Sequence, residues 1–162
     1  MSIKKSFLIE LERETSNTGR VLDRITDEHL DWRPHEKSMS LGALAAHVVE
    51  LHNWVSKAIP KDVFDFKTDY QPLKINSIDE LKDILIKGLI ANKETIEQLP
   101  EEDWLKEWVL KAGDWEMARL PKAGAVRYII TNHLIHHRGQ LTVYLRLLNI
   151  PVPGLYGPSA DE

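Results

Sequence analysis

The feature that most constrains the fold is a long run of apolar residues at helical spacing near the end of the chain. Between Pro121 and Asn149, side chains three or four residues apart form one broad apolar stripe. Its members are Val126, Ile129, Ile130, Leu134, Leu141, Leu145 and Leu148. Because proline suits the first turn of a helix, the pattern predicts a helix from Pro121 to about Asn149.

Three earlier segments show the same periodicity and predict helices of similar length. They are Ile3 to about Ile25, Ser38 or Ser40 to about Ile59, and Ser77 to about Gln98. Ser77 and Glu80 have the spacing of a capping box, in which the hydroxyl and the carboxylate each accept a hydrogen bond from a free backbone N–H. Four amphipathic helices of this size predict an all-α helix bundle, with residues 1–162 as a single domain.

The connections between the predicted helices contain one regular feature. Residues 61–76 are predicted to form a long irregular connection between Pro60 and the third helix. Further on, two short apolar segments flank Gly113, at Trp108–Leu110 and Trp115–Met117. This spacing favours a small hairpin before the last helix.

Composition excludes several classes of function. The net charge is −4 and no cluster of lysine or arginine stands out, so binding to nucleic acid or to an anionic membrane is not expected. Residues 1–14 show neither a signal peptide nor a membrane span, and a cytoplasmic location is expected. The chain has no cysteine, which removes disulfides, cysteine zinc sites and a cysteine nucleophile. Metal ligands must therefore come from His, Asp, Glu, backbone or water.

Histidines supply such ligands on two of the predicted helices. His133 and His137 are four residues apart on the last helix, so they share a face and can bind one ion. His47 lies beside the apolar stripe of the second helix, which makes it the candidate for a third ligand. Three protein ligands with an open position are typical of a catalytic metal, since structural zinc sites use four. The alternative is three separate histidines, each hydrogen-bonded in or near the core.

Candidates for a catalytic role are weaker. Leu134 occupies the position at which a zincin motif requires its glutamate base, so that motif is not met. Glu50, three residues after His47, is a candidate partner of that histidine or a base, although a solvated helix glutamate is the simpler interpretation. Tyr156 is a candidate if the proline-rich tail folds over the helices.

The other polar residues near the histidines are expected to have simpler roles. His136 points about 100° away from His137 and is expected at the surface or beside a ligand. Ordinary polar roles are expected for His29, His35 and His52. Gly139 interrupts a strong helix, which predicts a close neighbour on that side. Arg138 and Gln140 are expected either to orient ligands or substrate, or to be solvated.

Four segments of the chain carry a family resemblance. They are Trp32–His35, Ser40–His47, His133–Leu141 and Val152–Glu162. With them the chain resembles, from end to end, the DinB (DinB/YfiT-like) family of metalloenzymes. The resemblance implies an up-and-down four-helix bundle that holds a divalent metal, commonly nickel or zinc. It assigns that metal to His47, His133 and His137.

The resemblance also implies a frequent homodimer and a class of small-molecule chemistry. The superfamily includes bacillithiol S-transferases and mycothiol-dependent isomerases, so the leading hypothesis is a metal-dependent transferase. A divalent metal with an open position can deprotonate a thiol near neutral pH, and here the thiol would be a cosubstrate because the chain has no cysteine. Two alternatives stay open. One is a hydrolase that activates water, and the other is a non-enzymatic bundle that binds a metal or a ligand.

Overall fold

The structure, a computed structural model, describes residues 2–162 and is mostly helical. Its four helices are α1 (Ile3–Leu22), α2 (Leu41–Lys57), α3 (Ile78–Gln98) and α4 (Asn132–Leu147). Both α1 and α2 pack against α3 and against α4. Within residues 2–162, no helix combines the length and the apolar character needed to cross a membrane.

Serine side chains define the beginnings of two helices. Ser40 is the N-cap of α2, as one of the two predicted positions, and Ser77 is the N-cap of α3. The hydroxyl of Ser77 accepts a hydrogen bond from the Glu80 amide at 3.2 Å. The Glu80 carboxylate, however, accepts from the Asn76 amide at 2.8 Å and not from the Ser77 amide. Only half of the predicted capping box is therefore formed.

The helical segment that ends the fold begins with irregular geometry. A single turn, Lys122–Gly124, leads into a π-helix at Ala125–Thr131, and α4 begins at Asn132. The predicted helix start at Pro121 is confirmed to within one residue, because Pro121 is both the last residue of a strand and the N-cap of this turn. A π-helix has i→i+5 hydrogen bonds and often occurs at functional sites. This one ends two residues before His133.

A three-stranded sheet accompanies the helices, so the fold is mostly helical, as predicted, but not all-α. Its strands are β1 (Val63–Asp65), β2 (Glu107–Ala112) and β3 (Trp115–Pro121), in that order across the sheet. The antiparallel pair β2 and β3 is the predicted hairpin, and it turns at Gly113 with φ +65°. Strand β1 pairs in parallel with β2 inside the connection that was predicted to be irregular. Its Phe64 is buried against Trp54 of α2, with ring centroids 5.2 Å apart.

The core lies between the helices and extends to the sheet. The apolar stripes predicted for the helices supply much of it, including Phe7, Leu11, Val21, Leu44, Leu51, Leu85, Leu134, Leu141 and Leu145. Polar side chains are also buried there, among them His52 and Arg138. This packing brings α2 against α4, the two helices that carry the predicted ligand histidines.

Candidate metal site

Three imidazoles from two helices converge between α2 and α4. The ring of His47 lies 5.3 Å from that of His133 and 4.8 Å from that of His137, measured between centroids. The Nε2 atoms of His133 and His137 are 2.8 Å apart. One nitrogen of each residue lies within 4.8 Å of the other two. This spacing suits one shared ion, since metal–nitrogen bonds of about 2.0–2.1 Å place ligand nitrogens about 3 Å apart.

Two of the rings are held from behind by side-chain acceptors. The Glu50 carboxylate is 3.1 Å from His47 Nδ1, and the Gln140 Oε1 atom is 2.8 Å from His137 Nδ1. The Gln140 amide nitrogen lies 3.2 Å from the His136 ring, which fixes the direction of the amide. An acceptor at Nδ1 keeps the proton there and leaves the Nε2 lone pair free to bind a metal.

The third ring is held by the main chain. The carbonyl of Ile129, within the π-helix, accepts a hydrogen bond from the His133 ring. Burial, together with the neighbouring imidazoles of His137 and His47, lowers the pKa of His133 to about 4, and the Ile129 carbonyl opposes this shift. Burial also lowers the pKa of His137. Both rings are therefore neutral at neutral pH, which is the form that binds metal.

The donor set fits a divalent metal ion. Because the Nδ1 atoms of His47 and His137 face side-chain acceptors, the Nε2 lone pairs of these rings are free, and the Nε2 atoms of His137 and His133 face each other at 2.8 Å. Such lone pairs repel unless a cation or a proton lies between them. Neutral imidazole is a good ligand for zinc and for other first-row metals, and three such ligands leave a further coordination position.

Glu50 connects His47 to the segment that follows β1. Its carboxylate also accepts hydrogen bonds from the Tyr70 hydroxyl, at 3.1 Å, and from the Leu73 amide. Burial alone would raise the pKa of Glu50, but the bonds from His47, Leu73 and Tyr70 outweigh it and lower that pKa. Burial and the neighbouring Glu50 charge raise the pKa of Tyr70 to about 12. Glu50 is thus an ionised acceptor with three donors, an arrangement that orients His47.

Arg138 and Tyr156 belong to a separate cluster. The guanidinium of Arg138 is 1 % exposed and bonds to the carbonyl and carboxylate of Glu14 and to the Thr18 hydroxyl. The prediction that Arg138 orients a ligand or is solvated is therefore wrong, because it joins α4 to α1. The tail does fold over the helices, but the Tyr156 hydroxyl bonds to Glu14, at 2.8 Å, and to Arg138.

Three further predictions near the histidines have different outcomes. His136 is exposed, as expected. A Cβ atom added at Gly139 would meet nothing within 4 Å, so the close neighbour predicted there is wrong. His52 is 2 % exposed and lies 2.8 Å from both the Thr15 hydroxyl and the Asn53 side chain. Its expected role as an ordinary polar residue is replaced by one in a buried hydrogen-bond network.

Sequence reasoning missed two groups that surround the histidines. Tyr70 follows Glu50 by 20 residues in a segment predicted to be irregular, so no spacing marked it. Ile129 was assigned only to the apolar stripe, because no residue type marks a carbonyl that accepts a side-chain bond in a π-helix. Gln140 did carry a signal, since it follows a histidine by three residues, as Glu50 does.

A mostly helical chain with three convergent imidazoles defines a class of candidate metal-binding proteins, and comparisons with known proteins identify the family. The DinB family matches residues 1–162, and the chain therefore belongs to the DinB family. It is 24 % identical over 162 residues to the uncharacterized protein YrdA of Bacillus subtilis (strain 168), covering 96 % of this chain and 89 % of that protein. The uncharacterized protein YjoA of the same organism is 24 % identical over 132 residues, 80 % of each chain.

Two solved structures share the fold. A DinB-like protein from Bacillus cereus ATCC 10987 superposes with a TM-score of 0.72 at 26 % identity, covering 94 % of this chain and 97 % of that one. The DinB-like protein YjoA of Bacillus subtilis superposes with a TM-score of 0.73 at 19 % identity, covering 95 % and 99 %. At that identity the second comparison supports the fold alone.

Proposed function

We propose that this protein is a divalent-metal-dependent enzyme whose metal ligands are His47, His133 and His137. The observation that carries the proposal is the convergence of the three rings, two of which are held at Nδ1 by a side-chain acceptor. Three protein ligands leave a coordination position for a substrate, as catalytic zinc sites do. Nickel and zinc are the metals we propose, because both accept imidazole ligands and the family resemblance favours them.

The reaction we propose is the transfer of a low-molecular-weight thiol to a small electrophilic molecule. A divalent ion at this site would supply the open position at which a thiol is deprotonated near neutral pH. The thiol has to arrive as a cosubstrate, since the chain contains no cysteine. The resemblance to thiol-dependent members of the DinB superfamily favours this chemistry over hydrolysis.

The chain's own residues would act by positioning the ligands. Glu50 and Gln140 hold two of the rings, and the Ile129 carbonyl holds the third. We assign Glu50 this positioning role and not that of a base, because three donors already occupy its carboxylate. Outer partners of this kind typically contribute 10–100-fold to metal affinity or activity.

Metal analysis of single-histidine variants tests the ligand assignment. The full-length protein, loaded with zinc or nickel and desalted, should retain one ion per chain. His133→Ala and His137→Ala should lose it, while His136→Ala serves as the matched control because that histidine is exposed on the same helix. Full occupancy in all three variants would contradict the site.

Turnover assays test the reaction. The metal-loaded protein should consume glutathione, bacillithiol or mycothiol together with an electrophile such as 1-chloro-2,4-dinitrobenzene, and the variant His133→Ala should not. Turnover of an ester panel without any thiol would favour the hydrolase. Metal binding that raises the melting temperature without any turnover would favour a structural or ligand-binding role.

We also propose that the protein forms a homodimer through α4. Val143 and Leu147 are four residues apart on this helix and are 57 % and 56 % exposed, and the face continues to Gly139, where an added Cβ atom would meet nothing within 4 Å. A smooth apolar face of this kind suits a two-fold contact between copies. In sedimentation experiments Val143→Glu and Leu147→Glu should give monomers, while Ile86→Glu on α3, where Ile86 is 54 % exposed, should not.

A further inference from the structure

We propose that a cavity beside His133 binds an uncharged, apolar or aromatic part of the substrate, an inference that rests on the proposed function. The cavity has a volume of ≈ 500 Å³, which lies within the range of about 300–1,000 Å³ that is typical of ligand pockets. It lies between α2, the π-helix and the sheet. Its apolar walls are formed by Trp54, Phe66, Leu110, Met117, Tyr128 and Ile129.

The position of the cavity connects it to the three imidazoles. His133 forms part of its wall, and Ile129, whose carbonyl holds the His133 ring, forms another part. Trp54 follows His47 by seven residues, about two turns of α2, and therefore lies on the same face of that helix. A molecule in the cavity would contact the same two helices that present the histidine cluster.

The charge of the cavity wall selects the chemistry of its occupant. The wall includes the polar side chains of Asn132, His133 and His136, and no Asp, Glu, Lys or Arg from positions 2–162 contributes to it. An ionised group in this cavity would meet no side chain of fixed opposite charge to offset any loss of water. An uncharged apolar group would instead remove the exposed surface of Met117 and Tyr128 from water, which is favourable.

A neighbouring cavity in the same molecule has charged side chains in its wall. It shares Trp54 with the first cavity, has a volume of ≈ 400 Å³ and includes the charged side chains of Glu50, Lys57, Asp69 and Lys74 in its wall. Both cavities are similar in size, so the contrast lies in their charge. This contrast favours the apolar cavity for the uncharged part of an electrophilic substrate.

Binding of N-phenyl-1-naphthylamine, an uncharged aromatic probe that fluoresces in apolar surroundings, tests the inference. Full-length wild-type protein should bind the probe saturably at one site per chain. Met117→Glu should weaken binding at least about 10-fold, because the carboxylate would face the apolar ligand. Met39→Glu is the matched control, since Met39 lies outside the cavity and is 41 % exposed, against 43 % for Met117.

A second variant and a metal measurement give the test clear outcomes. Ala118→Phe, which fills the cavity from β3, should also weaken probe binding, with a melting temperature to confirm folding. Equal probe affinity in wild type, Met117→Glu and Ala118→Phe would overturn the inference. Loss of the dimer in Met117→Glu, with the affinity for the probe unchanged, would also overturn it. Zinc occupancy separates the two proposals: zinc retained without saturable probe binding contradicts this inference alone, whereas probe binding without zinc contradicts the metal site.

Discussion

His52 is buried and His133 is half-buried, and their similarly lowered pKa values hide different environments. Burial is the main cause that lowers the pKa of each to about 4. Both ring nitrogens of His52 are hydrogen-bonded to other side chains, one to the hydroxyl of Thr15 and one to the side chain of Asn53. His133 instead directs Nε2 toward another imidazole, 2.8 Å away. A lowered pKa therefore marks burial in both places, and only the unshared lone pairs at His133 point to a ligand.

The largest expected effect concerns metal binding at His133. The variant His133→Ala should bind zinc at least about 1,000-fold more weakly, because removing a ligand costs more than the 10–100-fold associated with outer partners. Isothermal titration with zinc provides the measurement. If His52→Ala weakened zinc binding as much as His133→Ala does, the claim that, of these two histidines, only His133 is a metal ligand would be contradicted.

The next effect concerns stability at His52. The variant His52→Ala should lower the free energy of unfolding by about 2–4 kcal/mol, because it leaves a small cavity and unpaired polar groups at Thr15 and Asn53. Urea unfolding at pH 7 measures this loss, with zinc affinity as the second readout. An unchanged free energy of unfolding would show that the hydrogen bonds of His52 do not stabilise the fold.

A pH series sharpens the same contrast. The pKa of His52 is about 4 in the folded protein and 6.5 in the unfolded chain. Between pH 4 and pH 6.5 the unfolded chain therefore binds more protons than the folded protein. The stability that the neutral His52 ring contributes is present above pH 6.5 and is lost as the pH falls toward 4. Over this window the free energy of unfolding of metal-free wild type should fall by about 3 kcal/mol more than that of His52→Ala. Parallel pH curves for the two proteins would contradict this.

The smallest effect concerns the outer partner of His47. Glu50→Ala should weaken zinc binding by about 10–100-fold without changing the number of ions bound at saturation. The physical reason is that the His47 ring loses the acceptor that fixes its orientation and its proton. Glu12→Ala, which removes an exposed carboxylate of α1 that pairs with Lys93, is a suitable control. Equal losses in both variants would indicate a general charge effect.

Local patterns in the sequence were sufficient for the helices and for the choice of the three candidate histidines. The spacing of apolar residues identifies the face that each helix buries, and His47 lies beside one such face. His133 and His137 share a face because they are four residues apart. Once α2 and α4 pack together, these three side chains have to meet.

Non-local contacts account for what the sequence did not reveal. Strand β1 has three residues and pairs in parallel with a strand more than 40 residues later, so no local turn marks it. Arg138 looks like a solvated residue until Glu14, 124 residues away, is placed beside it. His52 is similar, because its partner Thr15 lies on another helix. Burial of polar residues depends on such partners and leaves no periodic signal of its own.

The central claim is that the three histidines bind one divalent metal ion. Its most direct test is an anomalous difference map from crystals of the zinc- or nickel-loaded protein, recorded at the absorption edge of the metal. The account predicts one peak between α2 and α4, at about 2.0–2.1 Å from the Nε2 atoms of His47, His133 and His137. A loaded protein whose only peak lies away from these atoms, or that shows none, would contradict it.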